Sequence, residues 1–436
     1  MPRLPAAAML LGFALASAAT TAAHAQLTDT EQRLVAAVKS RSPAALALLE
    51  RTVRVNSGTM NTAGVREVGR ILRAELDDLG FETRWAEMPA EMKRAGHLVA
   101  TRKGDHGRRV LLIGHLDTVF EAESTVAAWD PAGVRVRGQG VSDMKGGDVI
   151  LIEALRAMKA AGVLDGTTIS VIFTGDEERV GSPRELARAD MVELAKASDL
   201  ALAFEASARS REGGHMASYA RRSAGGWTLK VTGRPGHSGG VFSRNSGYGA
   251  IYEAVRIVDE FRRELQEPNL TFNPGTIIGG TDAKYDPDTA TGSAFGKNNV
   301  IAREAEVRGD LRYLTPEQGE RARSRMREIV SRSLPHTQAT ITFTETYPPQ
   351  APTEAGAQLL EAFSKASLDA GLGPIRAMDP AFRGAGDVQF VAPYIPAVDG
   401  LGATGSGAHT DFEDLEIASI ERGAIRAAIL IYRLTR

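Results

Sequence analysis

The 436-residue chain contains no cysteine. That excludes disulfides in any compartment, and it excludes thiolate ligands for a metal. A bound metal must therefore be held by histidine, aspartate and glutamate, a donor set that suits zinc and other divalent first-row ions. Charge of one sign is also missing. Lys and Arg total 52 against 54 Asp and Glu, the formal net charge is −2, and the basic residues form no long run. This argues against nucleic acid as a partner. Beyond the N-terminus no segment is apolar enough to span a bilayer, which takes ~20 consecutive residues, so no membrane span and a soluble mature protein are expected. No internal repeat or low-complexity stretch follows residue 25.

Residues 1–25 read as a secretory signal. Arg3 gives a small positive start, Ala6 to Ala19 is apolar, and Ala23-His24-Ala25 fits a small-x-small cleavage site. An uncleaved anchor is the competing reading. Cleavage after Ala25 leaves a chain that begins at Gln26, in the periplasm or outside the cell. What remains exceeds the ~250–300 residues at which one core usually divides, so two domains are expected.

Four apolar, strand-like runs lead to an acid or a histidine. Val110 to Gly114 runs into His115-Leu116-Asp117, and Ile169 to Phe173 leads through Thr174-Gly175 into Asp176-Glu177-Glu178. Leu200 to Phe204 runs into Glu205, and Ile395 to Val398 leads through a glycine-rich loop to His409. Ligands collect beyond the carboxyl ends of strands in open α/β sheets, and charges are costly to bury unless paired or metal-bound. Together the four ends predict a two-metal hydrolase site. Taken singly, each has a plainer reading. His115 and Asp117 could be an ordinary histidine–carboxylate pair, although their spacing puts both side chains on one side of a strand. There one could bind metal while the other fixes the imidazole tautomer. Ser142 or Asp143 could cap the helix that opens at Asp143 and ends at Gly162; alternatively Asp143 bridges two ions. Adjacent Glu177 and Glu178 could be solvated, but three neighbouring acids at a strand end repel one another unless metal or a shared proton intervenes.

Strand-like and helix-like patterns alternate from about Leu27, which predicts an α/β fold. Gln32 to Leu49 and Ala63 to Leu79 carry apolar residues at helical spacing. Between 220 and 347 a different unit is expected, in the order β-α-β-β-α-β. Its strands fall at Trp227–Val231, Leu270–Ile278, Ala305–Leu314 and Ala339–Thr346. Its helices fall at Tyr248–Leu265 and from Pro316 to about Arg332, the second capped by Thr315 with Gln318 as its capping-box partner. Gly279 to Lys297 reads as a long exposed loop. The site pattern resumes after Tyr347, so this unit is an insertion. It divides the catalytic domain into 26–219 and 348–436.

These residues resemble the dinuclear zinc exopeptidases and deacylases, a family that includes glutamate carboxypeptidase of the carboxypeptidase G type, aminoacylase, acetylornithine deacetylase and succinyl-diaminopimelate desuccinylase. The resemblance covers nearly the whole mature chain. It is carried by Gly-His115-Leu-Asp117, Gly-Val-Ser-Asp143-Met-Lys-Gly-Gly, Asp-Glu177-Glu178, Glu205, the insertion, and Gly-Ala-His409. Gly384-Ala385-Gly386-Asp387 and the run from Ala408 to Asp414 place it nearest the carboxypeptidase G branch. The resemblance implies a three-layer zinc-exopeptidase-like domain with an inserted ferredoxin-like lid that also dimerises. It implies two Zn²⁺ per subunit, with Co²⁺ or Mn²⁺ as substitutes: His115 and Glu205 on one, Glu178 and His409 on the other, and Asp143 between them. Asp117 would support His115, and Glu177 would be general base and acid.

The resemblance also implies that His237, in Gly-Arg-Pro-Gly-His237-Ser-Gly, reaches a partner subunit's site and stabilises an oxyanion, and that Asn299 and Arg312 engage substrate, the arginine through a carboxylate. A turn histidine and a solvated strand arginine are the plainer readings. The glutamate-specific branch would carry a further arginine near the last lid strand, and Thr344 to Pro349 contains none. The resemblance thus carries the hydrolytic chemistry and not specificity for C-terminal glutamate or folates; an aromatic residue in that segment would favour a more apolar substrate side chain. The expected activity is removal of a C-terminal amino acid or cleavage of an N-acyl amino acid. A broad dipeptidase or aminoacylase is the alternative, and a non-catalytic scaffold would require a lost ligand, which is not seen.

Overall fold

The computed structural model describes residues 27–210, 213–287 and 289–436; the expected secretory signal lies outside them. The chain opens with α1 (Asp29–Val53) and α2 (Thr62–Asp78). Thr28 starts α1 with a capping box to Glu31. A hairpin of β1 (Glu82–Ala86) and β2 (His97–Arg102) leads to β3 (His106–His115). Next come α3 (Gly146–Ala160), β4 (Thr167–Thr174) and β5 (Leu200–Ala203). A separate run follows: β6 (Ala224–Gly233), α4 (Ala250–Glu264), β7 (Pro274–Gly280), β8 (Glu304–Asp310), α5 (Pro316–Ser331) and β9 (Thr337–Tyr347). The chain then returns as α6 (Glu354–Asp369), β10 (Ala397–Asp399) and α7 (Ala418–Leu434).

The first and last segments share one six-stranded sheet, ordered β1-β2-β4-β3-β5-β10. Its last four strands are parallel, while β1 and β2 pair antiparallel at one edge. Parallel strands are covered on both faces and read as continuous apolar runs. Val110, Leu111, Leu112, Val171, Ile172, Leu200 and Leu202 are accordingly fully buried. Helix α3 is buried almost all round, because it lies against both α1 and α7. Of its two buried acids, Asp148 and Glu153, the second is paired with Arg41 at 2.7 Å.

The middle run forms a four-stranded antiparallel sheet, β7-β8-β6-β9. Trp227, Leu229, Ile257, Phe261, Met326 and Ile329 give it a core of its own. Thr315 caps α5, yet Gln318 reaches past it: its Oε1 accepts the Leu314 N–H at 2.8 Å instead of closing a capping box. The expected long loop within Gly279–Lys297 is instead built around a paired hairpin, Asp282–Asp286 with Thr291–Phe295. The second of its strands is exposed throughout, so backbone pairing there has no buried apolar alternation to announce it. The chain enters and leaves the middle sheet side by side, since Arg221 and Gln350 exchange both backbone hydrogen bonds at 3.0 and 2.9 Å.

Candidate dinuclear metal centre

Parallel pairing sets the ends of β3, β4 and β5 along one edge. His115 is the last residue of β3, in register with Thr174 at the end of β4. Three residues beyond that end comes Glu177, then Glu178; Glu205 follows β5 just as closely. Asp143 sits in the turn Val141–Lys145 immediately before α3. Neither Ser142 nor Asp143 caps that helix, whose N-terminus has no side-chain cap. The Glu413 carboxylate instead accepts the N–H groups of Gly140, Ser142 and Asp143 at 2.8–3.0 Å, which fixes the turn. His409 lies in a loop and takes a left-handed backbone, φ 64°, a conformation uncommon outside glycine.

Two glycines of the motifs permit this closeness. A Cβ on Gly114 would meet Asp148 Oδ1 at 2.3 Å, and one on Gly147 would meet the Phe204 carbonyl oxygen at 1.9 Å. The start of α3 can thus press against the ends of β3 and β5.

The side chains converge. His115 Nε2 lies 3.3 Å from Asp143 Oδ1 and 3.3 Å from Glu205 Oε1. His409 Nε2 lies 3.2 Å from Asp143 Oδ2 and 3.1 Å from Glu178 Oε2. Ligand atoms of His115, Asp143 and Glu178 fall within 4.8 Å of one another, as do those of His115, Glu177 and Glu205. This arrangement fits divalent cations. His115 Nδ1 is 3.0 Å from the Asp117 carbonyl oxygen, so in a neutral ring the N–H is there and Nε2 presents a lone pair to two carboxylates. Acceptors facing acceptors need either a proton or a metal between them. Glu178 Oε1 is moreover buried without a hydrogen-bond partner.

Titration reflects the same crowding. Burial, reinforced by the charge of Asp143, pushes Glu178 up to about 7. Hydrogen bonds to Asp143 and Glu178 raise His409 to about 11. Burial pushes Glu177 well above the usual carboxylate range, with Glu205, Asp387 and Glu178 adding to it against the pull of His115. An ion entering the site would displace these protons.

Asp117 acts differently from the expected tautomer-fixing carboxylate. Its backbone carbonyl takes the His115 ring, while Oδ1 lies 3.6 Å away. The carboxylate itself accepts the backbone N–H groups of Glu177 and Glu178 at 3.0 and 3.1 Å, and the Thr59 hydroxyl at 2.7 Å. It thereby holds the acidic pair in place. Asp176 is tied elsewhere, to buried Arg188 at 2.5 Å and the Gly181 N–H at 2.8 Å. Arg188 also holds Asp387 at 2.8 Å. Tyr347, the aromatic of the last lid strand, packs on Phe390 and donates its hydroxyl to the Glu177 carbonyl at 2.9 Å. It supports the acidic loop and offers little to an apolar substrate side chain. Glu413 and Arg188 went unnoticed in the sequence, where only the run from Ala408 to Asp414 hinted at the first; Tyr347 reads there as an aromatic for an apolar substrate side chain, not as a support for Glu177.

The residues expected to act from a lid are not drawn into this cluster. Exposed His237 accepts the Gly239 N–H on Nδ1 at 3.1 Å. Asn299 lies beside it, its carbonyl accepting the Ser238 N–H at 2.9 Å. Arg312 stands at the opposite end of the middle sheet, paired with Asp310 at 3.0 Å. Among the described residues no hydrogen bond or ion pair joins any of the three to the histidine–carboxylate cluster.

Residues 111–433 match the model of peptidase family M20/M25/M40. The chain belongs to that family. It is 28% identical over 427 residues to carboxypeptidase G2 of Pseudomonas sp. (strain RS-16), covering 97% of this chain and 96% of that one. It is 24% identical over 403 residues to a succinyl-diaminopimelate desuccinylase of Rhodospirillum centenum, covering 89% and 97%. A dinuclear metal-binding peptidase of the M20 family from Bacillus subtilis shares the fold, with TM-score 0.65 at 14% identity over 91% of this chain and 99% of that one. As an M20 member the chain is a metallopeptidase-type, carboxypeptidase-like hydrolase with a mixed α/β fold. Among the described residues no helix is long and apolar enough to cross a membrane.

Proposed function

We propose that this M20 protein is a secreted hydrolase that cleaves the amide bond next to an amino acid bearing a free carboxylate, in peptides or N-acyl amino acids. Two zinc ions per subunit would be held by His115 and Glu205, by Glu178 and His409, and by Asp143 between them. The observation that carries this reading is Asp143, whose two oxygens face the two histidines at 3.3 and 3.2 Å. Bound there, the ions would supply an acidified water and polarise the scissile carbonyl. Glu177 takes the water proton on its carboxylate and returns it to the leaving amine. The test is a screen of the zinc-loaded protein against N-acyl amino acids and dipeptides, read as release of free amino acid. No release from any of them would end this reading; equal cleavage of both classes would favour a broad dipeptidase or aminoacylase.

The unit 220–347 is read as a lid that also dimerises, with His237 completing the other subunit's site. Support comes from the geometry of β6. That strand has 10 residues and spans roughly 30 Å at about 3.3 Å per residue, and His237 lies beyond its far end from the hinge. Arg312 lies at the hinge end, so one rigid lid position is poorly suited to delivering both to one site. The lid also exposes Ile251, Tyr252, Val255 and Ile277, and β7 is an unpaired edge strand. Such features mark association surfaces. Mixing inactive Glu177→Gln and His237→Ala subunits is expected to restore activity, because a heterodimer then contains one intact site. No recovery despite demonstrated subunit exchange, or a monomer by light scattering, would contradict the shared site.

A further inference from the structure

Asp399 ends β10 fully buried. Its Oδ1 accepts the Glu205 N–H at 3.3 Å, so it lies directly behind one of the clustered acids. Its Oδ2 faces two guanidiniums, Arg221 in direct contact and Arg383 Nη2 at 3.7 Å. Arg221 is the partner it satisfies: that side chain is buried, and its Nη1 also donates to the Gly384 carbonyl at 2.8 Å. Burial, with the Arg383 charge beside it, pushes Arg221 down to about 9. The Glu205, Glu177 and Asp143 carboxylates act on Arg221 in the opposite sense.

Arg383 is differently placed. Among the described residues it makes no hydrogen bond, and its one ion pair is the long contact to Asp399. Its side chain is 17% exposed, sheltered enough for a charge to act strongly and open enough to be reached. A guanidinium presents five donors in a planar fork. The segment that carries it lies over the hinge, because Arg222 Nη2 donates to the Ala381 carbonyl at 3.1 Å and Arg221 to that of Gly384. Arg383 thus stands where the lid joins the metal-site sheet, one carboxylate away from the Glu205 backbone. Arg312, expected to bind a substrate carboxylate, already has its Nε committed to Asp310.

We infer that Arg383 receives the free α-carboxylate of the amino acid adjoining the scissile amide, and so determines specificity. This rests on the amidohydrolase reading above. A charge-assisted, two-point bond to an incoming carboxylate would fill the empty donors. Asp399 then acts as the strut that aims Arg383 and anchors Glu205 together.

Binding can be measured without turnover in zinc-loaded Glu177→Gln protein, by calorimetry with N-acetyl-leucine and N-acetyl-leucinamide. The carboxylate ligand is expected to bind more tightly than the amide. Adding Arg383→Gln is expected to weaken N-acetyl-leucine on the order of 10–100-fold, the range for hydrogen bonds to charged groups, while changing N-acetyl-leucinamide by less than about threefold by the same criterion. Arg383→Lys should recover part of the loss, since it keeps the charge without the fork. Equal weakening of both ligands, an unchanged N-acetyl-leucine affinity, or no discrimination in the parent would overturn the inference. So would a loss confined to N-acetyl-glutamate over N-acetyl-glutamine, which would assign Arg383 to a side-chain carboxylate. If discrimination depends on Arg383 while the active protein cleaves no N-acyl amino acid or dipeptide, the amidohydrolase reading fails and the role of Arg383 stands.

Discussion

Glu177→Gln is expected to keep the fold and the metal content while lowering turnover by ~10²–10⁴-fold, the usual contribution of a general acid–base group. An amide occupies the same space but cannot carry the proton. The backbone around it should not move, because its anchors are main-chain groups. The Glu177 N–H binds Asp117, and its carbonyl accepts the Tyr347 hydroxyl. Asp176 cannot substitute, since its carboxylate is already engaged by Arg188 and Gly181. The check is kcat with metal content measured on the same sample. Turnover near wild type with metal unchanged would remove Glu177 from the chemistry.

Asp143→Ala is expected to be more severe, leaving hydrolysis near background and metal content well below that of the parent. Groups that merely orient a ligand are worth roughly 10–100-fold in affinity or activity, and a carboxylate shared by both ions should exceed that. Without it, among the described residues, His115 Nε2 keeps its ion pair with Glu205 and His409 Nε2 its ion pair with Glu178. Collapse of the turn is not the expected cause. Glu413 holds that turn through backbone N–H groups, which alanine retains. Circular dichroism and elemental analysis of the variant separate the two explanations: native-like structure with lost metal supports the bridge, and an unfolded variant speaks against this account of the turn.

The residues that were legible in the sequence share a cause. His115, Glu177, Glu178 and Glu205 each follow a buried apolar strand, and a charge at the end of such a run stands out locally. The insertion was legible because its periodicity differs from that of the flanking segments. What supports the site was not legible. Glu413 binds Ser142 across 271 positions, and Arg188 reaches Asp387 across 199. Nothing local to either residue announces such a partner. Asp117 shows a subtler limit. Spacing placed it correctly beside His115, but which of its oxygens meets the ring depends on the loop after β4, which claims the carboxylate. Arg312 reads in sequence as a substrate-binding or solvated guanidinium, although Asp310, two positions before it and so on the same side of extended chain, is the local signal of its partner.

The proposed function depends on two metal ions held through five side chains, with Asp143 shared between them. Elemental analysis of protein purified without chelator and reconstituted with zinc tests it most directly, with activity followed as metal is added. The expected result is two zinc ions per chain, with hydrolysis reaching its full level only as the second is bound. One tightly bound ion per chain with full activity would contradict it.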